Sequence, residues 1–157
     1  MIFGFGQLLD EYAAENLMAP LGISDYQWEF INEDMVYASG NLMLRPRDMA
    51  KIGYLLLNDG QWQGEQVMSP DWVAKTTAAY VDSPGTGEGD QYGDQWWQMT
   101  FPSESGPVKA LHRSGWGGQE LYLFPSLEML VALTGGEYEG ESPGPEIVTE
   151  HSIPAVL

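Results

Sequence analysis

Leu8 and Leu9, Tyr12 and Ala13, and Leu17 recur at helical spacing between Gln7 and Met18, while Asp10, Glu11 and Glu15 face away. The pattern predicts an amphipathic helix that Pro20 stops. A turn-rich stretch follows through Ser24-Asp25 and Asn32-Glu33-Asp34. A second helix is predicted from Pro46, because proline suits the first helical position. Asp48 lies in its first turn, where the helix dipole favours an anion. Met49, Ile52, Leu55 and Leu56 form its apolar face, and Asn58-Asp59-Gly60 closes it. Ser69-Pro70-Asp71 reads as the cap, first position and acidic first turn of a third helix, to about Ala78.

Val81 to Asp90 reads as a loop, being rich in Pro, Gly and Asp. The register then changes. Gln95 to Met99, Val108 to His112, Gln119 to Phe124 and Met129 to Thr134 are short and rich in aromatic or β-branched residues. Pro102-Ser103, Ser114-Gly115 and Pro125-Ser126 separate them, which predicts an antiparallel meander. A last helical piece is expected from Pro145 toward Leu157, with Pro154 disturbing its end. Helices followed by strands make an α+β chain. We read residues 1–157 as a single domain, mainly helical over about 1–90, with the sheet and final helix over about 91–157.

Charge changes the picture more than length does. Asp and Glu number 23 against 6 Lys and Arg, a formal net charge of −17. Such a polyanion is repelled by nucleic acid and by anionic lipid, so neither is an expected partner. Counterions should screen the self-repulsion, as in a protein adapted to high salt. We therefore expect the melting temperature to climb between low and molar KCl; a flat or falling value would remove that reading. The absence of cysteine excludes disulfides, zinc–thiolate sites and thiol catalysis, and leaves the compartment open. Asp10-Glu11 cuts short the apolar start, so residues 1–9 resemble neither a signal peptide nor a membrane span. A chain with 12% aromatic residues should fold despite its charge.

General catalytic patterns give weak matches. Gly140-Glu141-Ser142-Pro143-Gly144 fits G-x-S-x-G, but the residue after the serine is a proline, which has no N–H to donate to an oxyanion. Gly85-Thr86-Gly87-Glu88-Gly89 lacks the Lys-Ser or Lys-Thr of a phosphate loop. Glu137, Glu139 and Glu141 lack a calcium-loop spacing and read as solvated carboxylates. His112 and His151, the only histidines, fall in different elements, so no metal site is expected. Trp96 and Trp97 are adjacent in a strand and face opposite ways, so one of them belongs to the core.

Several stretches together resemble the serine β-lactamase and penicillin-binding-protein-like hydrolases, the group of class C β-lactamases, family VIII carboxylesterases and 6-aminohexanoate-dimer hydrolases. They are Glu15-Asn16-Leu17-Met18-Ala19-Pro20-Leu21-Gly22-Ile23, Ala38-Ser39-Gly40-Asn41-Leu42, Arg45-Pro46-Arg47-Asp48-Met49-Ala50-Lys51-Ile52-Gly53 and Asn58-Asp59-Gly60-Gln61-Trp62. Tyr92-Gly93-Asp94-Gln95-Trp96-Trp97 is similar to the family's Y-G-Y-x-W-W strand. Gly115-Trp116-Gly117-Gly118-Gln119, then Phe124-Pro125, is similar to its G-H/W-x-G-Q stretch and the strand that follows, and Ile153-Pro154-Ala155-Val156 to its closing helix.

The resemblance implies a partial β-lactamase/transpeptidase-like fold and a parent chemistry of acyl transfer to serine, followed by hydrolysis of an ester, linear amide or β-lactam. It implies no metal and no organic cofactor. The family nucleophile lies in S-x-x-K, upstream of the matched stretches, and no serine in this chain is followed three positions later by lysine. The chain is therefore expected to lack catalytic residues and activity on its own. Tyr37-Ala38-Ser39 fits the family's Y-x-S relay pattern but overlaps a stretch that matches a later part of the family. Trp116-Gly117-Gly118 matches the third motif, found as K-T-G, H-x-G or W-x-G. By resemblance Trp116 lines the cleft, Gly117 and Gly118 let substrate approach the backbone, and the Gln119 N–H is an oxyanion donor.

The expected partner is the upstream half of such a hydrolase, or a second copy paired through an open sheet edge, with Leu121, Leu123, Leu130 and Leu133 losing cover. A small ester or amide is a substrate only of the completed protein. Two alternatives stand beside this: a free-standing, non-catalytic binding remnant, and a new site using Ser114 or Ser39 with His112.

Overall fold

The computed structural model describes residues 7–83, 90–136, 138–140 and 142–157. In chain order the helices are α1 (Leu9–Ala13), α2 (Pro46–Leu57), α3 (Pro70–Thr76) and α4 (Gly144–Ile147). The strands are β1 (Gln27–Trp28), β2 (Phe30–Asn32), β3 (Met35–Val36), β4 (Leu42–Met43), β5 (Gln61–Trp62), β6 (Glu65–Gln66) and β7 (Val81–Asp82). They continue with β8 (Gln91–Gly93), β9 (Trp96–Phe101), β10 (Val108–Gly115), β11 (Gln119–Phe124) and β12 (Met129–Leu133). The architecture is α+β, with one principal antiparallel sheet.

That sheet has six strands in the order β12-β11-β10-β9-β8-β7. Each strand pairs with its neighbour in sequence, so short turns suffice. Register fixes the faces. Arg113 pairs with Leu121, and Leu121 with Ala132, on the face beneath α2. His112 pairs with both Trp97 and Tyr122, and Tyr122 with Val131, on the opposite face. Side chains alternate along each strand, so these two rows cannot mix.

The face beneath α2 holds Leu56, Val73, Trp96, Leu121 and Leu123 in one buried cluster. Gly53 makes this packing close, since a Cβ there would lie 3.0 Å from Leu123 Cδ2. The other face holds Phe101, Val108, Ala110, Tyr122 and Phe124 with Val148 and Ile153 of the C-terminal helix. A third cluster joins Met18, Leu21 and Ile23 to Leu55. Leu121 and Leu123 are 5% and 0% exposed, so, contrary to expectation, α2 covers them fully. Leu130 and Leu133 are half-buried.

The helix signals hold where capping chemistry is local. Pro46 and Pro70 open α2 and α3, and the Ser69 hydroxyl accepts from the Trp72 N–H at 3.2 Å. Such a cap contributes about 1 kcal/mol. The first and last helices depart from the expected form. α1 widens over Ala14–Met18 and α4 over Val148–Ser152 into π-helical turns, with Ala19 N–H donating to Ala14 O at 2.9 Å and Ile153 N–H to Val148 O at 3.0 Å. The turn-rich stretch after Ser24 forms small ribbons, β1 with β4 and β2 with β3. Val81 and Asp82, expected in a loop, pair with Tyr92 and Gln91 as the sheet's last strand. The glycine-rich run 85–89, Glu137 and Glu141 lie outside the described residues.

Candidate functional site

Where β10 turns into β11, the sheet meets the β1–β4 ribbon and the first turns of α2. The hollow between them has a volume of about 320 Å³. Trp28, Leu42, Leu44, Met49, Ile52, Trp96 and Leu121 give it apolar walls. Ser39, Gln95, Arg113 and Gln119 bring polar side chains to it, and Ser114 and Gly115 border it. Larger hollows, of about 460 Å³ and about 660 Å³, lie beside Tyr54 and Trp62 and beside Tyr12 and Trp72. The smaller cleft is where a guanidinium, the Ser39 hydroxyl and a glycine turn converge, the combination expected of a ligand site.

Ser39 reaches the cleft because Trp28 anchors its loop. The indole N–H donates to Tyr37 O at 2.9 Å and Gly40 O at 3.2 Å. Arg113 sits at the other wall. Its guanidinium lies 5.7 Å from the Trp96 ring centroid and donates to Gln95 Oε1. Surrounding protein lowers the Arg113 pKa from its ordinary value by desolvation, while Tyr92 opposes that shift. Arg113 nevertheless keeps substantial solvent exposure, so it remains a cation.

The Trp116-Gly117-Gly118 segment forms the turn between β10 and β11, and Gln119 is the first residue of β11. Gly117 and Gly118 have φ of 87° and 80°. A Cβ on Gly117 would stand 2.4 Å from Tyr138 Cε1, so only glycine fits. Trp116 is 82% exposed, with its ring 4.8 Å from that of Tyr138. Gln119 Nε2 donates to Gly135 O at 3.4 Å. Trp116, Gly117 and Gly118 thus stand at the rim, and Gln119 borders the cleft itself.

Tyr37 is not among the lining residues, although its neighbours Ala38, Ser39 and Gly40 are. His112 is 3% exposed and stacks on Tyr122 at 4.3 Å, on the face opposite the cleft. The sheet therefore separates the His112 ring from Ser39. Ser114 shares a strand face with His112 by alternation. Ser142 is half-buried and accepts from the Gly144 N–H at 3.2 Å in a loop. Among the described residues no group of three potential metal ligands gathers, and no helix is long and apolar enough to cross a membrane. Trp96, 3% exposed, is the core member of its pair.

The sequence reading passes over Arg113 and Gln95. Their signal is the order basic–hydroxyl–glycine, Arg113-Ser114-Gly115, immediately before Trp116.

No family model matches the chain. It is 29% identical over 102 residues to the 6-aminohexanoate-dimer hydrolase of Paenarthrobacter ureafaciens, covering 60% of this chain and 25% of that protein. Among solved structures it is similar to a "Putative 6-aminohexanoate-dimer hydrolase from Bacillus anthracis", with a TM-score of 0.76 and 24% identity over 96% of this chain and 38% of that one. A "putative beta-lactamase from Bacteroides dorei DSM 17855" gives a TM-score of 0.62 and 17% identity, over 91% and 50%. The octameric penicillin-binding protein homologue from Pyrococcus abyssi gives 0.60 and 19%, over 92% and 36%. The fold is similar to that of β-lactamase- and penicillin-binding-protein-like structures. The chain spans a quarter of the curated relative's length and half or less of each solved chain.

In this β-lactamase-like arrangement the cleft can hold an apolar chain between Trp28 and Leu121 and meet a polar or anionic group at Arg113. Among the described residues lining the cleft there is no lysine to stand beside a hydroxyl. Lys51 donates to Gly22 O at 3.1 Å and pairs with Asp48 at 2.7 Å, away from these walls.

Proposed function

We propose that this chain forms the strand-side wall of a serine acyl-hydrolase cleft acting on esters or linear amides. One observation carries the reading. The strand end Arg113-Ser114-Gly115 meets a two-glycine turn at the mouth of an apolar cleft. Trp116-Gly117-Gly118, by resemblance the W-x-G form of the third motif, makes that turn. The nucleophile comes from a segment carrying S-x-x-K. There the serine oxygen attacks the acyl carbon, the C–O or C–N bond breaks, and the leaving group takes a proton. Water then adds to the acyl carbon, releasing the carboxylate and the free serine. The Gln119 N–H contributes to the oxyanion hole, where one donor contributes about 3 kcal/mol to the transition state. The curated relative's name, a dimer hydrolase, supports a linear amide as substrate class.

Alone, the chain is inactive in this reading. β12 is the open edge for the completing segment. Its residues, Met-Leu-Val-Ala-Leu, carry no charge or proline, the devices that usually block an edge. The cleft is also built from this chain's own residues, which supports the second reading, a binding module without catalysis.

Incubation with a fluorophosphonate, then intact mass measurement, should give no stoichiometric adduct. Co-expression with the upstream half of a related hydrolase should restore p-nitrophenyl ester cleavage, and changing that half's S-x-x-K serine to alanine should abolish it. A stoichiometric serine adduct on the isolated chain, or no recovery with any partner, overturns the proposal.

A further inference from the structure

Among the described strands the six-stranded sheet has two edges, and they are guarded differently. β7 is two residues long and ends in Asp82. Shortness and charge are what keep an edge from pairing with another chain. β12 has neither. Its residues, Met129 to Leu133, are all apolar, and none is a proline. All of them are half-buried, whereas every residue of the neighbouring β11 after Gln119 is buried. The faces of the strand do not explain the difference. Leu130 and Ala132 pack against the cluster beneath α2, and Met129, Val131 and Leu133 against the cluster of the C-terminal helix. The exposure of β12 therefore lies along its outer edge, where its outward N–H and C=O groups point.

This strand is its own complement. Turned about Val131, a second copy sets Leu130 opposite Ala132 and Met129 opposite Leu133, apolar with apolar and, on the α2 face, large with small. Each pair keeps the alternation of the strand, so every side chain stays on its own face. Charge selects the direction. In a parallel pair the two Glu128 carboxylates stand side by side. In the antiparallel pair Glu128 stands opposite Thr134 of the second copy, about 20 Å from the other Glu128 at the rise of a strand. That separation exceeds the Debye length of about 10 Å in ~0.1 M salt. Leu130 also lines the hollow of about 460 Å³ beside Tyr54 and Trp62, so the second copy meets room on the α2 side. What opposes the contact is the net charge of −17 on each copy, a long-range repulsion that salt removes.

We propose that two copies of this chain join β12 to β12, antiparallel and two-fold about Val131, when salt screens their charge. The edge is the one assigned above to a completing segment, so that segment and the second copy compete for it. The dimer itself does not rest on the acyl-hydrolase reading.

Sedimentation velocity of the full chain over a range of concentrations should show a monomer–dimer equilibrium that tightens about tenfold or more from low to molar KCl. The chain has no cysteine, so single ones report the register. Directly opposed residues of antiparallel strands have Cα atoms about 4.5–5.5 Å apart, within the reach of a disulfide. Val131→Cys should therefore cross-link under mild oxidation in molar KCl, and Glu128→Cys should not. Leu130→Lys should weaken the dimer about tenfold or more, since a lysine blocks an edge, while its half-buried position lets the ammonium reach solvent. A chain that is monomeric at every concentration in molar KCl overturns the proposal. So does a dimer that cross-links at residue 128, fails to cross-link at residue 131, or is indifferent to Leu130→Lys. Dimerisation without recovered ester cleavage in the co-expression assay rejects the hydrolase reading alone, and recovered cleavage by a chain that stays monomeric on its own rejects the dimer alone.

Discussion

Tyr122→Ala should cost about 4 kcal/mol of unfolding free energy, the range for removing a buried aromatic ring. Tyr122 is 0% exposed in β11, the strand next to the β12 edge. One ring face stacks on His112 at 12° between planes, while Phe101 meets it nearly perpendicularly at 5.9 Å. Truncation removes both contacts and opens a void beneath the C-terminal helix, where Val148 and Ile153 pack in the same cluster. The hydroxyl has a separate effect. It donates to Glu120, only 4% exposed, and Gly144 lies so close that a Cβ would stand 1.6 Å from Glu120 Oε2. Tyr122→Phe should therefore cost about 1–3 kcal/mol by removing a donor from a buried carboxylate. Denaturant midpoints measure both. A loss under about 1 kcal/mol for alanine would mean that the helix does not pack on the sheet as described.

The second large effect is expected at Gly60→Ala, about 3–5 kcal/mol, combining left-handed backbone strain with a backbone clash. Gly60 has φ of 81°, and an added Cβ would lie 1.9 Å from the Met68 carbonyl oxygen. The residue joins two elements. Its N–H donates to Leu55 O at 2.8 Å, closing α2, and its own carbonyl accepts from Val67 and Met68 at 2.9 and 3.1 Å. Substitution should thus detach the β5–β6 ribbon from the end of α2, with Trp62 emission moving to the red. Gly22→Ala is the control. Its φ is 61°, but nothing stands within 4 Å of the added methyl, so only the conformational cost of about 1–2 kcal/mol remains. Equal losses at the two positions would show that the contact with Met68 does not matter.

How far the sequence discloses this molecule depends on the range of the interaction. α2 and α3 are legible because proline, serine and aspartate act within one turn, and the final strands because aromatic and β-branched residues alternate over several positions. The β1–β4 ribbon is not, since Gln27 finds its partner at Met43 and two-residue strands carry no period. The edge strand Val81–Asp82 is hidden for the same reason, paired across a turn-forming run. The π-helical ends of α1 and α4 break the helical period just where the pattern ends. In the site, Gly117 and Gly118 announce themselves as glycines, whereas Asp94 and Gln95 adopt positive φ without any glycine to signal it. Arg113 was legible in principle, but a single basic residue acquires meaning only from Trp96 beneath it and Gln95 beside it.

The six-stranded order has a kinetic corollary. From β7 to β12 every ladder joins neighbours along the chain, and the β10–β11 connection is only a three-residue turn. The loops closed during assembly are short, so little chain entropy is lost before each ladder begins to stabilise the next. Such a sheet can grow hairpin by hairpin as residues leave the ribosome. Its pairing sequence requires no strand from outside residues 81–133, while the helices before and after it in the sequence supply the cover for its two faces.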